Sequence, residues 1–260
     1  MDRQRWGDFG LVALAALALV MVVLAFSKQQ DASAGPASAS PTPVASMRVV
    51  QDGGTAAQAA DTSTTPSMAA KKVDPSAPRA VFIGDSYTAG AGGDGTTWTG
   101  IVAEKKGWTE VNLGRGAGYV ASVTGEKAKA ACGQDTCPAY RELVDEAAAA
   151  KPDIIVVSGG RNDGAASVSN PAATLYLALH DKAPKARIIV VSPLWDDDPA
   201  PADLAGTKQG VRVAASRAGV EYLDIGQPLS GRADLVSADG TNPNAQGYQA
   251  IAQAVLAKLK

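Results

Sequence analysis

Histidine occurs once among the 260 residues, at His180, and cysteine twice, at Cys132 and Cys137. One histidine excludes a multi-histidine metal site, and two thiols with no histidine nearby are poor material for any other metal centre. Histidine-dependent catalysis, if present, has only His180 to draw on. Charge of one sign is also lacking: 24 Lys and Arg stand against 26 Asp and Glu, a formal net charge of −2. Without a basic excess there is no electrostatic reason to expect nucleic acid as a partner. Aromatic residues make up 5% of the chain. Outside one N-terminal run, the first third holds few large apolar side chains, so a core can form only further along.

That run covers residues 9–26, FGLVALAALALVMVVLAF, and as a helix is long enough to span the hydrocarbon core of a bilayer. Arg3 and Arg5 lie in residues 1–8 and favour a cytoplasmic N-terminus. The rival reading is a cleaved signal peptide, since Ala32-Ser33-Ala34 has the small-x-small form. The length of the run and the charged patch over 28–31 favour an uncleaved anchor. Either way the remainder is expected outside the cytoplasm, as a single-pass protein of the cell membrane or, after cleavage, a secreted one. Residues 27–78 are rich in Ala, Ser, Thr, Pro, Gly and Gln and show no periodicity. They cannot bury enough surface to offset their ordering entropy and read as a disordered tether.

From residue 79 to 260 the pattern becomes regular. Short apolar runs at 80–83, 110–113, 153–157, 187–191 and 221–225 alternate with helical stretches at 98–106, 139–149, 172–182, 202–218 and 244–259. Ile- and Val-rich runs without polar alternation suit strands buried on both faces. The alternation predicts one α/β domain, a three-layer α/β/α sandwich around a five-stranded parallel sheet. Cys132 and Cys137, five residues apart in an extracytoplasmic setting, are expected to form a disulfide.

Four segments follow strands or precede the last helix, and all should reach one edge of that sheet. They are Gly84-Asp85-Ser86, the glycine-rich 112–119, Ser158-Gly159-Gly160-Arg161-Asn162-Asp163, and Asp239-Gly240-Thr241-Asn242-Pro243. Singly, each has an ordinary reading as a turn or loop. Together and in this order they resemble the SGNH hydrolases, the GDSL-like esterases and lipases, with a flavodoxin-like sheet. The resemblance covers the whole domain and implies carboxylic ester hydrolysis without a cofactor or a metal, on a small-molecule or carbohydrate acyl ester. It makes Ser86 the nucleophile and Asp239 the acid that orients a base. The oxyanion hole would comprise the backbone N–H groups of Ser86 and Gly116, with Gly118 the alternative glycine, and the side-chain amide of Asn162. Asp85, Gly160 and Trp195 are candidates to line the substrate cleft.

The departure comes at position 242. The family has Asp-x-x-His where this chain has Asp239-x-x-Asn242, and an amide cannot accept a proton from a serine hydroxyl. Asn242 also suits an N-cap, with Pro243 opening the final helix. His180 falls at the end of a helix leading into a strand start, the edge opposite Ser86. Three explanations stay open: a pseudoenzyme that binds an acylated or carbohydrate ligand, a weak hydrolase, or a deliberately replaced histidine. A Gly90–Gly95 stretch matching G-x-G-x-x-G does not follow its strand directly, so it is expected to be a loop beside the pocket and not a nucleotide site.

Overall fold

The computed structural model describes Asp74 and residues 76–260. The anchor at 9–26, its flank 1–8 and nearly all of the tether 27–78 lie outside the described residues. Among the described residues no helix is long and apolar enough to cross a membrane.

Five strands form the main sheet: β1 (Arg79–Gly84), β2 (Thr109–Gly114), β5 (Ile154–Ser158), β6 (Arg187–Val191) and β7 (Glu221–Leu223). Their order is β2-β1-β5-β6-β7, and every pairing is parallel. Each strand sends alternate residues to opposite faces. Val81, Ile83, Ile155, Val157 and Val190 pack on one side against Leu175 and Leu179 of α5 (Ser169–Lys182) and Val211 of α6 (Ala202–Ala218). Ala80, Phe82, Ile154, Val156 and Ile189 pack on the other, against Trp98 and Val102 of α2 (Trp98–Lys106) and Ile251 and Val255 of α7 (Ala245–Lys258). Helices on both faces complete the expected three layers.

The chain steps outward from β1 to β2, then crosses back to β5 and proceeds the other way. The switch point therefore lies at the carboxyl ends of β1 and β5, where open α/β sheets place ligands. Ser86, after β1, and Arg161, Asn162 and Asp163, after β5, are delivered there.

Local differences from expectation have local causes. The stretch 139–149 is a 3₁₀ turn, Tyr140–Leu143, running into α4 (Val144–Ala149). The turn around Ser86 closes as one helical turn, α1 (Ser86–Ala89). Beyond β2 an excursion adds β3 (Val123–Thr124), α3 (Glu126–Cys132) and β4 (Thr136–Cys137), joined by the Cys132–Cys137 disulfide. The final helix is capped by Asn244, not Asn242: the Asn244 side chain accepts the Gly247 N–H at 3.0 Å. Asn242 is thereby freed for another partner.

Candidate active site

Glycines bring the turn that carries Ser86 tight against the sheet. A Cβ on Gly84 would collide with the Thr88 hydroxyl and the Ser158 carbonyl, and one on Gly114 with the backbone of Ala89. Asn112 ties the same turn to β2, donating to the Thr88 carbonyl at 2.7 Å and accepting the Gly114 N–H at 2.9 Å. Asp85 turns its carboxylate inward and accepts the Tyr87 N–H at 3.0 Å as the cap of α1. Burial pushes that carboxyl up to about 6, against the opposing pull of the Arg161 guanidinium. The Ser86 carbonyl accepts the N–H groups of Gly90 and Ala91, both at 3.0 Å, and the residue is half-buried.

The segment after β5 ties the surrounding loops together, with two side chains on the loop after β2 and one reaching the opposite way. Asp163, buried, accepts three backbone N–H groups from the loop after β2: Tyr119 at 3.0 Å, Val120 at 2.8 Å and Ala121 at 3.0 Å. Asn162 donates to the carbonyls of Gly116 and Ala117 at 3.0 and 3.1 Å. Two carbonyl partners identify the facing atom as the amide nitrogen. Arg161 reaches the other way, to Asp196 at 3.1 Å and the Thr241 carbonyl at 3.4 Å.

Asp239 and Asn242 form a closed pair. Asp239 Oδ2 accepts the Asn242 side-chain amide at 2.8 Å, and Oδ1 accepts the backbone N–H groups of Thr241 and Asn242, each at 2.8 Å. Partial burial works against ionisation of Asp239, but these bonds outweigh it and hold the carboxyl down at about 2. The Asn242 Oδ1 is buried without a hydrogen-bond partner. The pair stands beside the turn that carries Ser86: the Tyr87 hydroxyl donates to the Thr241 carbonyl at 2.7 Å. A Cβ on Gly92 would lie 2.8 Å from the Asn242 Cβ. The Gly90–Gly95 stretch is therefore a loop packed against position 242, and Tyr248 pins it by donating to the Ala91 carbonyl at 2.6 Å.

Several expected assignments change. Asp85 and Gly160 do not face a cleft. Asp85 is committed to its cap, and Gly160 is buried with φ 115, where a Cβ would crowd Thr207 and Pro193. Trp195 lies at the expected edge, but one face of its ring is taken by Arg161, 4.8 Å from the centroid. Asn162 has both amide N–H bonds on loop carbonyls, so it holds the Gly116 loop instead of presenting a free donor. The choice between the two loop glycines is narrowed: the Gly118 N–H is spent on the Ala121 carbonyl at 2.9 Å, which leaves Gly116, in the left-handed region at φ 74. His180 is exposed at the end of α5, beside Arg187 and Glu221 at the starts of β6 and β7, the edge away from Ser86. Among the described residues no group of three or more His, Cys, Asp or Glu is placed to hold a metal ion.

A parallel sheet covered by helices on both faces, with Ser86 after β1 at its switch point and an Asp-anchored side chain ahead of the last helix, sets the chain in the three-layer α/β/α class. The chain belongs to the GDSL-like lipase/acylhydrolase family, the SGNH hydrolases, whose model matches residues 82–250. It is similar to a Mycobacterium tuberculosis protein, GDSL lipase Rv0518, at 28% identity over 189 residues, 66% of this chain and 78% of that one. Among solved structures, TesA superposes with a TM-score of 0.55 at 16% identity, over 70% of this chain and 98% of its own. A carbohydrate esterase family 2 enzyme of Myceliophthora fergusii, solved with its carbohydrate-binding domain, gives 0.51 at 24% identity, over 70% and 67%. These two likenesses speak to the fold.

Proposed function

We propose that the chain is a membrane-tethered, extracytoplasmic serine esterase for acyl or acetyl esters, with Ser86 as nucleophile and its turnover held down by Asn242. The observation that carries the reading is the 2.8 Å bond from the Asn242 amide to Asp239 Oδ2. It is the bond an imidazole N–H would make to an orienting carboxylate. The amide thus keeps the anchoring half of a base and loses the accepting half, because its remaining polar atom is a neutral oxygen. Asp239 is a poor substitute base, since a carboxyl held at about 2 gives up its proton too readily.

In the reaction, Ser86 Oγ adds to the ester carbonyl, and the charge gathering on oxygen is met by the backbone N–H groups of Ser86 and Gly116. Asn162 and Asp163 hold the Gly116 loop in place. The proton leaving Ser86 must pass to water, and the departing alkoxide must take its proton from water. Both steps lack the preorganisation a histidine supplies. An acyl or acetyl ester, carbohydrate-borne or small, is supported as substrate by the family and by the activities named for the related proteins. Placement outside the cytoplasm is supported by the apolar run at 9–26 and by the Cys132–Cys137 disulfide, a bond that persists in oxidising compartments.

The test is Asn242→His, assayed with a short-chain chromogenic ester. Restoring a positioned base should raise turnover by about 10²–10⁴-fold, and adding Ser86→Ala should remove the gain. A folded Asn242→His protein without gain would overturn the esterase reading and leave a binding module with the same fold.

A further inference from the structure

Arg161 occupies the open position of Gly160-x-Asn162-Asp163, and the chemistry above gives it no part. Its surroundings are nevertheless built around it. The side chain is 6% exposed, and Asp196, its ion-pair partner, 8%. The guanidinium carbon lies 4.2 Å from the centroid of the Tyr87 ring and 4.8 Å from that of the Trp195 ring. Trp195 is itself fixed, its backbone N–H donating to Gln227 Oε1 at 2.7 Å. Taking a guanidinium and a carboxylate out of water is costly, and a plain stabilising role would be served as well by apolar side chains.

What the arrangement does hold is one carbonyl. Thr241 O receives the Tyr87 hydroxyl at 2.7 Å and Arg161 Nη1 at 3.4 Å, so the nucleophile turn and the segment after β5 meet on the residue preceding position 242. Because Asp239 takes the N–H groups of both Thr241 and Asn242, a shift at Thr241 is passed directly to the side chain that follows. We propose that Arg161 is a positioning residue for position 242, fixing through the Thr241 carbonyl where that side chain stands beside the turn that carries Ser86. The planar fork matters, since a guanidinium can meet aromatic rings and donate to both Asp196 and the Thr241 carbonyl, which a lysine ammonium does less well. The inference rests on the reading of Ser86 and position 242 as partners in ester cleavage.

The experiment places Arg161→Lys and Arg161→Gln in the full chain carrying Asn242→His. Arg161→Gln leaves Asp196 buried and unpaired, so Arg161→Gln with Asp196→Asn is made alongside. Expected is a fall in kcat of about 10²-fold, the usual effect of a misplaced reacting group, with KM changed less than about twofold and thermal midpoint retained in the double variant. Arg161→Lys should recover only part of the loss. Unchanged kcat in the folded double variant overturns the proposal. If Asn242→His proves inactive, the esterase reading has failed, and hydrogen exchange at the Thr241 and Asn242 amides decides this one separately. Roughly tenfold faster exchange there, with Tyr119–Ala121 unaltered, supports positioning; equal exchange refutes it.

Discussion

Asp163 shows how much of the site rests on one buried carboxylate. Its two oxygens take three N–H groups from a loop more than forty positions earlier in the chain, and Gly118 must lack a side chain because a Cβ there would lie 2.5 Å from Asp163 Oδ1. Asp163→Asn keeps the shape but turns an N–H toward backbone donors. It should cost about 1–3 kcal/mol, measured by urea unfolding, and should speed amide exchange at Tyr119–Ala121. No local pattern in the sequence announces that clamp, because its partners are backbone groups that carry no residue signature. The cap of the last helix is hard to place from sequence for a related reason. Asn242-Pro243-Asn244 offers two asparagines as caps, and only the position of Gly247 N–H decides for Asn244. The turn after β1 is legible because an apolar run ending in Gly-Asp-Ser admits few geometries.

Elements with a clear period were readable, and elements too short to have one were not. α2 and α6 begin and end as their patterns indicate, and the Ile- and Val-rich strands fall within a residue or two of their runs. β3 and β4, two residues each, carry no alternation to detect. Their excursion matters nonetheless. Ala117 is fully buried against Ala128 and Cys137, and a Cβ on Gly116 would lie 2.6 Å from that of Ala131. The disulfide therefore braces the helix on which the Gly116 loop leans. Replacing both cysteines by serine opens a short loop and should cost about 2 kcal/mol, lowering the thermal midpoint by roughly 4–8 °C in a domain of this size. Calorimetry with and without reductant would check it.

At the scale of the whole molecule, stability should respond to pH through two carboxyls of opposite sense. Asp85 is held at about 6, above its unfolded value of 3.8, so its ionisation opposes folding. The native state loses stability from this group as pH rises from about 4 to 6, by roughly 2–3 kcal/mol. Asp239, held at about 2, works the other way: its contribution is present above its unfolded value and is lost as pH falls from about 4 to 2. Asp85→Asn keeps a cap acceptor and removes the charge. Its stability relative to the parent should therefore climb between pH 4 and 6, read as the difference in urea midpoints at each pH. An unchanging difference would mean that Asp85 ionises freely in the folded chain.

The three consecutive residues after Gly160 each fasten a different neighbour: Arg161 the Thr241 turn, Asn162 and Asp163 the two halves of the loop after β2. A signature written on Gly160, Asn162 and Asp163 is thus a record of carpentry. It would score a chain with imidazole at position 242 and a chain with carboxamide there alike, since none of its letters touches the proton. Diagnosing turnover in this family from such motifs needs the one letter that lies outside the joinery.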